Sequence, residues 1–268
     1  MRENPEATVY LSRGIRRVNG WLEKFSAKVI FAIATVQEEW SVRGGIVEIG
    51  VHHGKLFILL LTLLSDSEKA IAIDIFENQN INVDNSGKGN FDIFCKNIRK
   101  YSKNYNNVLF IKDSSLEITH EDIIDKIGLV RLFSIDGGHT HECTYNDLLI
   151  ASNSLSPNGV IILDDFFNAY WPGVASGASE FMRLHASDVV PFAVTPGKVF
   201  LSKPGIARRY RDALRRIFEV EYDKSVEIFS SQVDIYLISN NIKRRIRRTL
   251  HRICGAELVD ALRSVLER

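Results

Sequence analysis

The sequence predicts an α/β fold: a Rossmann-like, doubly wound and mostly parallel sheet with a terminal antiparallel hairpin, plus helical N- and C-terminal extensions. Short apolar runs alternate with segments of helical periodicity from residue 45 onward. Residues 130–167 form a strand–helix–strand unit, which requires parallel neighbouring strands. Two later apolar runs, 189–194 and 198–202, flank Thr195-Pro196-Gly197, the pattern of a hairpin.

Composition narrows the class of protein. A chain of 268 residues can bury a large core, and a formal net charge of +1 gives no reason to expect a nucleic-acid partner. Cys95, Cys143 and Cys254 are far apart, which favours reduced thiols in the cytoplasm over a disulfide framework or a zinc site. The N-terminus lacks the apolar core of a signal peptide, and the longest apolar run, 56–64, is too short to span a bilayer.

We divide the chain into a helical cap at 1–44, a main domain at 45–240 and a basic amphipathic helix at 241–268. Within the cap, residues 9–42 carry apolar side chains at helical spacing. The tail combines Lys and Arg with an apolar stripe, which suits an anionic membrane surface or an acidic protein partner. The alternative is a solvated helix packed on its own domain or in a homo-oligomer.

Further elements follow from the same patterns. The other predicted strands are 46–49, 70–76, 108–111, 130–135, 159–163, 226–228 and 233–238. The predicted helices include 56–64, 91–101, 142–154, one from about 174, and 208–218, and Pro157-Asn158-Gly159 is predicted to be a turn. The polar segment 77–90 is predicted to be a loop, either a lid or binding loop or a mobile surface insertion.

The first strand leads into a glycine-containing turn. Residues 45–54 read GIVEIGVHHG, in which Gly50 permits a tight turn and Gly54 opens a helix whose amides favour an anion. This is not the GxGxxG dinucleotide motif, because Glu48 stands where a glycine is needed. Asp74, at the end of the second strand, lies where related folds place a ribose-binding acid. An ordinary strand–helix turn and a helix cap are the structural alternatives.

Acidic residues end the strands of the central unit. Asp136 and His139 follow the first of these strands, and Asp164 and Asp165 follow the second, so all four side chains should meet at the carboxyl edge of one sheet. Crowded carboxylates require a compensating cation or proton. The alternative is that each aspartate caps a strand or helix.

Two further groups lie near this predicted edge. Asp113 and Ser114 follow the third strand, where they contact a bound adenine or cap the next short helix. Four aromatic residues follow the acidic pair and either wall an acceptor pocket or belong to the core: Phe166, Phe167, Tyr170 and Trp171.

Three motifs carry a resemblance to a known family: IVEIGVHHG at 46–54, IDGGH at 135–139 and LDDF at 163–166. Over roughly residues 45–203 the chain resembles the class I S-adenosylmethionine (SAM) methyltransferases. It is most similar to the metal-dependent sugar and natural-product O-methyltransferases, such as the macrocin and mycinamicin enzymes. Lys55, His52 and His53 depart from the family pattern around the cofactor loop.

The resemblance implies a function and a site. The substrate would be a hydroxyl of a sugar, glycan or glycosylated small molecule, and the cofactors would be SAM and a divalent metal, magnesium in the first place. His139 would match the family's general base, with His141 as a second candidate. The resemblance assigns the methionine end of SAM to Glu48, Gly50 and Gly54, the ribose to Asp74, and the metal to Asp136, Asp164 and Asp165.

Two other classes remain open at this point. One is a metal-independent SAM methyltransferase, in which the acids bind an amine or act as caps. The other is a nicotinamide-dependent oxidoreductase or a non-catalytic nucleotide-binding module, and Glu48 in the glycine loop argues against the oxidoreductase.

Overall fold

The computed structural model describes residues 4–238, so the predicted tail at 241–268 lies outside the described residues. The strands are β1 Gly45–Ile49, β2 Ala70–Ile73, β3 Val108–Ile111, β4 Val130–Ile135, β5 Leu155–Asp164, β6 Val190–Thr195, β7 Lys198–Ser202, β8 Tyr222–Ile228 and β9 Ser231–Tyr236. The α-helices are α1 Pro5–Val9, α2 Lys24–Glu39, α3 Lys55–Thr62, α4 Phe91–Tyr101, α5 His120–Ile127, α6 His141–Ser154, α7 Pro172–Leu184 and α8 Pro204–Ile217.

All nine strands join one sheet in the order β3-β2-β1-β4-β5-β7-β6-β9-β8. Strands β1 to β5 pair in parallel, which puts their carboxyl ends on one edge. β7 then runs antiparallel to both β5 and β6, and the hairpin β8–β9 joins β6 through a parallel pairing with β9. The predicted fold class is confirmed, including the terminal hairpin.

Helices cover both faces of the sheet, so its central strands are buried on both sides. On one face α2, α3 and α8 pack on residues such as Leu132 and Ile162. On the other face α5, α6 and α7 pack on residues such as Phe133 and Ile161. Because alternate strand residues enter two separate cores, the central strands read as continuous apolar runs rather than as alternating patterns.

The N-terminal segment differs from the prediction of helix over 9–42. Helix α1 continues into a π-helical turn at Tyr10–Gly14, residues 15–23 form turns and bends, and α2 then begins at Lys24. Gly20 explains the break, because its φ of +132° is incompatible with a right-handed helix. Consequently Trp21, which fits the apolar stripe of a continuous helix, is 78% exposed.

The predicted turn at Pro157-Asn158-Gly159 is wrong, because β5 runs through it. Leu155 already pairs with Val130 of β4, and a register shift between Val130 and Leu132 accommodates the extra residues. Pro157 is tolerated because it lies at an exposed position of the strand. At the other end of the chain, α8 begins four residues before the predicted 208, at Pro204, a favoured first residue of a helix.

A buried ion pair ties the amino edge of the sheet to the helices. Arg131 of β4 binds both carboxylate oxygens of Glu68 at 2.9 Å, and it also donates to the Gln37 side chain at 3.0 Å and to the Leu63 carbonyl at 2.7 Å. The Glu68 carboxylate also accepts hydrogen bonds from the backbone amides of residues 44 and 65. Burial alone would raise the pKa of Glu68, but the Arg131 guanidinium and these amides lower it.

We predict that Glu68→Gln destabilises the protein by about 3–5 kcal/mol at neutral pH, because it leaves the Arg131 charge buried and unpaired. The folded-state pKa of Glu68 lies below its ordinary value of 4.5, so the difference from wild type is fully present above that pH and shrinks as the pH falls through the folded-state value. Urea denaturation across pH measures both effects. The control is Glu39→Gln, an exposed position on α2 where a change within about 0.5 kcal/mol is expected. Equal stability of Glu68→Gln and wild type would contradict the role of the pair.

Candidate active site

The carboxyl edge of the parallel strands brings the predicted acidic residues to one level. Four residues of adjacent strands are in register: Ile73, Ile49, Ile135 and Leu163. The residues that follow them in the chain therefore lie side by side at the edge of the sheet: Asp74, Gly50, Asp136 and Asp164. In open α/β folds this edge is where ligands bind.

Gly50 allows β1 and β4 to end in close contact. Its φ is +83°, and a Cβ at this position would lie 1.7 Å from the carbonyl oxygen of Asp136. Gly54, with φ of +86°, opens α3 against the ring of Phe94. The positive φ at both positions, and the contact at Gly50, explain why glycines stand in this turn.

Glu48 lies beneath this turn and is almost completely buried, with 2% of its surface exposed. Its Oε2 has no hydrogen-bond partner within the described structure. Burial, together with the nearby Asp136, raises its pKa well above the ordinary value. An unpartnered buried carboxyl oxygen is suited to accept a hydrogen bond from a cationic ligand group, such as an ammonium.

Asp74 organises the loop that follows the glycine turn. One carboxylate oxygen accepts from the His52 amide at 2.6 Å, and the other accepts from the Phe76 amide at the same distance. Burial raises the pKa of Asp74. Each oxygen keeps a further lone pair, so the carboxylate can also accept from a diol.

The residues that depart from the family pattern lie beside Asp74 and the N-terminal segment, outside the contacts of Asp136, His139 and Asp165. The Lys55 ammonium donates to the Gly20 carbonyl at 2.7 Å, and the rings of His52 and His53 lie against each other with centroids 3.9 Å apart and planes tilted by 31°. Burial lowers the pKa of both histidines, which favours their neutral forms.

Asp113 and Ser114 have local capping contacts. The Asp113 side chain accepts from the Ser114 amide at 2.8 Å, and Ser114 Oγ accepts from the Leu116 amide at 3.3 Å. These contacts match the capping alternative, and the adenine contact stays a prediction.

Asp147 of α6 is a further buried acid on this side of the sheet. It is fully buried, neither of its carboxylate oxygens has a hydrogen-bond partner within residues 4–238, and burial raises its pKa to about 7.

Asp164 is engaged by a residue that the sequence analysis did not select. The ammonium of Lys198, on the antiparallel strand β7, lies 2.5 Å from Asp164 Oδ2, and Lys198 is only 3% exposed. Burial alone would lower the pKa of Lys198, but the carboxylates of Asp164 and Asp136 raise it. Asp164 is thus held by a protein cation.

The other predicted metal ligands form a cluster with the histidine. Ligand atoms of Asp136, His139 and Asp165 all lie within 4.8 Å of one another. The Nε2 atom of His139 lies 3.4 Å from Asp165 and 3.9 Å from Asp136. Burial and the neighbouring charge of Asp164 raise the pKa of Asp136 well above its ordinary value. Two carboxylates and an imidazole in this arrangement fit a divalent cation.

Asp165 adopts an uncommon backbone conformation. Its φ is +58°, in the left-handed region that aspartate tolerates better than most residues. The Asn168 side chain donates to Asp165 Oδ1 at 3.0 Å, which leaves Oδ2 facing His139. Burial alone would raise the pKa of Asp165, but the bonds from His139 and Asn168 lower it.

His139 is held on both sides of its ring. Asp84, from the loop after β2, contacts His139 Nδ1 at 2.7 Å, and Trp171 stacks on the ring at a centroid distance of 4.3 Å. Burial alone would lower the pKa of His139, but Asp165 and Asp84 raise it to about 9. By contrast, His141 is directed towards α7, where it bonds Ser176 at 2.8 Å and Glu180 at 2.9 Å.

Comparison with known proteins extends this description. Residues 47–166 match a family model described as a methyltransferase domain. The solved O-methyltransferase NovP superposes with a TM-score of 0.56 at 16% identity, covering 66% of this chain and 80% of NovP. The SAH-bound Podospora anserina methyltransferase PaMTH1 gives 0.50 at 16% identity, covering 74% of this chain and 88% of its own. No curated protein sequence matches the chain.

The acid-containing glycine turn, the sheet order and the match over 47–166 define a class I SAM-dependent methyltransferase. The chain is an enzyme of this class, and at this level the resemblance drawn from its motifs is confirmed. Within residues 4–238, no helix is both long and apolar enough to cross a bilayer.

We predict that Lys198→Met destabilises the protein by about 3–5 kcal/mol, because Asp164 loses its buried counter-charge. The double variant Lys198→Met/Asp164→Asn should recover part of this loss, since it removes both charges. Denaturant unfolding of the wild type, both single variants and the double variant gives the coupling energy. Lys224→Met, at an exposed position of β8, is the control. Additive effects of the two single changes would show that the pair is not coupled.

Proposed function

We propose that the enzyme transfers a methyl group from SAM to a hydroxyl of a sugar, a glycan or a glycosylated small molecule. The observation that carries the proposal is the cluster of Asp136, His139 and Asp165 at the same sheet edge as Glu48 and Asp74. Because SAM is already an activated methyl donor, the protein must orient the acceptor hydroxyl and remove its proton. The cluster offers side chains for both tasks.

In this proposal the cofactor lies over the glycine turn. The unpartnered carboxyl of Glu48 would receive the ammonium of the methionine part of SAM, and the bare backbone at Gly50 and Gly54 gives the cofactor close approach. Asp74 would accept from the ribose hydroxyls. Asp113 and Ser114 remain predicted adenine contacts.

A divalent cation, with magnesium as the first candidate, fits between the carboxylates of Asp136 and Asp165, and His139 lies next to both of them. When bound, such a cation supplies Lewis acidity to the acceptor hydroxyl and positive charge that lowers the pKa of His139. Asp164, the third predicted ligand, would support the site through Asp136, because its own carboxylate is paired with Lys198.

His139 is the proposed general base. Its Nε2 faces the two carboxylates, while its other ring nitrogen is occupied by Asp84. Removal of the acceptor proton by Nε2 places the developing positive charge between carboxylates that stabilise it.

Exposed aromatic residues support an acceptor with flat apolar faces. Phe167 is 65% exposed and Tyr170 is 87% exposed, and both follow Asp165 closely in the chain. Trp171 stacks on His139, and Phe166 contacts both Phe167 and the Phe229 ring at the β8–β9 turn. Aromatic faces of this kind suit the apolar side of a sugar ring or of an attached aglycone.

The cytoplasmic location and the membrane or protein partner of the tail remain predictions from sequence.

One observation favours a second candidate, a metal-independent SAM methyltransferase. Lys198 already places a buried positive charge among Asp164, Asp136 and Glu48. In that enzyme the charge of the acidic edge is balanced by the lysine and by protons on the raised-pKa acids. Resistance of the activity to a chelator distinguishes this candidate from the first.

We predict that SAM binds and that Asp74→Ala weakens its binding by about 1.5–3 kcal/mol, the value of a hydrogen bond to a charged group. Isothermal titration calorimetry measures the affinity. Asp113→Ala, whose carboxylate contacts only its neighbour's amide among the described hydrogen bonds, should have the smaller effect. Equal affinity of wild type and Asp74→Ala would remove Asp74 from the cofactor site.

We predict that His139→Ala lowers turnover by roughly 10²–10⁴-fold and leaves SAM binding nearly intact, because the change removes a base rather than a cofactor contact. The assay is methyl transfer to sugar-bearing acceptors, with magnesium and with EDTA. His141→Ala is the matched control, since His141 bonds α7 instead of the cluster.

Each arm of this assay has its own consequence. Near-normal turnover of His139→Ala would refute the base, and full activity in EDTA would refute the metal. Transfer of methyl groups to amines alone would refute the acceptor class.

A further inference from the structure

The loop after β2 brings a carboxylate to His139 that the mechanism above does not require. Oδ2 of Asp84 accepts from the His139 backbone amide at 2.6 Å and contacts the ring Nδ1 at 2.7 Å. A single oxygen therefore contacts both the backbone and the ring of the same residue. This double contact fixes the side-chain torsions of His139 relative to its own main chain.

Asp84 is itself held in place. Its Oδ1 accepts from the Ser86 amide at 2.8 Å, and Ser86 Oγ lies 3.1 Å from His139 Nδ1. The Asn82 side chain donates to the Ser86 carbonyl at 2.7 Å, which closes the loop around the carboxylate. The Asp84 side chain is only 8% exposed. An acid built into a loop in this way is not a solvated surface charge.

The stack on Trp171 supplies the second constraint. The two rings lie 19° from parallel, which fixes the plane of the imidazole, while Asp84 fixes its rotation within that plane. Because Nδ1 donates to Asp84, the other ring nitrogen, Nε2, faces Asp165 and Asp136. A base needs one unprotonated nitrogen aimed at the proton that it removes, and a carboxylate on the other nitrogen enforces that tautomer.

We propose that Asp84 is a positioning residue for His139: it keeps the proton on Nδ1 and presents Nε2 to the acceptor hydroxyl. The inference rests on the proposed function, and it adds the 77–90 loop to the acceptor site. Burial alone would raise the pKa of Asp84, but the bonds from Ser86 and His139 lower it to about 2, so the carboxylate is charged at neutral pH.

The test compares Asp84→Asn with Asp92→Asn. Asparagine keeps the shape of Asp84 but is neutral, and its NH₂ group must replace either the oxygen that faces His139 or the oxygen that accepts from the Ser86 amide. It therefore holds the proton on Nδ1 less firmly than the carboxylate does. Asp92 is an exposed acid in the first turn of α4 and serves as the control. We expect Asp84→Asn to lower kcat by roughly 10- to 100-fold, with KM for SAM and acceptor nearly unchanged, and Asp92→Asn to leave kcat unchanged.

A second measurement does not depend on activity. In metal-free protein, ¹⁵N NMR of the imidazole is followed through a pH titration until the ring signals show the neutral form. The two nitrogen shifts then report which nitrogen carries the proton, and comparison with His139→Ala assigns the signal. We expect the Nδ1–H tautomer in wild type and a shift towards Nε2–H in Asp84→Asn. Asp84→Glu, which retains the charge, should keep the Nδ1–H tautomer and recover part of kcat.

The outcomes separate the two proposals. Wild-type kcat in Asp84→Asn, or an unchanged tautomer, overturns the positioning role while His139 remains the base. If wild type methylates no sugar-bearing acceptor but the tautomer shifts as expected, the proposed function fails and the contact stands. If Asp84→Asn shows no thermal unfolding transition, Asp84→Glu becomes the deciding variant. A folded Asp84→Glu protein that has neither the Nδ1–H tautomer nor any recovered kcat also overturns the positioning role.

Discussion

The accumulation of negative charge at the carboxyl edge of the sheet is the constraint on which the site depends. Parallel strands bring Asp136 and Asp164 to one level at this edge, with Glu48 directly beneath them, and such a group of acids is unstable unless positive charge or protons compensate it. Lys198 enters from an antiparallel strand and pairs with Asp164, while Glu48 and Asp136 have raised pKa values. The antiparallel β6–β7 hairpin thereby supplies a charge that a purely parallel sheet would lack.

The two edges of the sheet carry different ion pairs. At the amino edge, Arg131 and Glu68 have a full set of partners and join β4 to the helix layer. At the carboxyl edge, Glu48 keeps an unpartnered oxygen and Asp165 a strained backbone. Satisfied polar groups stabilise the fold, whereas unsatisfied and strained groups are common where ligands bind. The satisfied ion pair that stabilises the fold therefore lies at the opposite edge of the sheet from the candidate active site.

Much of the fold follows from the sequence, because burial on both faces gives the central strands uninterrupted apolar runs. The acids that end those strands were also predictable, since strand direction fixes their common edge. Lys198 and Asp84 were not. Each binds a partner that is distant in the chain, at a separation of 34 residues for Lys198–Asp164 and 55 for Asp84–His139. Nothing in a hairpin strand or an Asn-rich loop indicates such a pairing, which depends on tertiary packing.

The two-residue turn between β8 and β9 has a consequence for how this enzyme could diversify. Phe229 and Ser230 both adopt left-handed φ values, 49° and 58°, which a turn of this kind satisfies more easily with asparagine and glycine. The Phe229 ring nevertheless contacts Phe166, the residue after Asp165. Hairpin tips accept insertions and substitutions readily. A change at this tip would therefore alter the aromatic wall of the proposed acceptor site while the charged edge stays intact, which makes the turn a suitable position for directed evolution of substrate range.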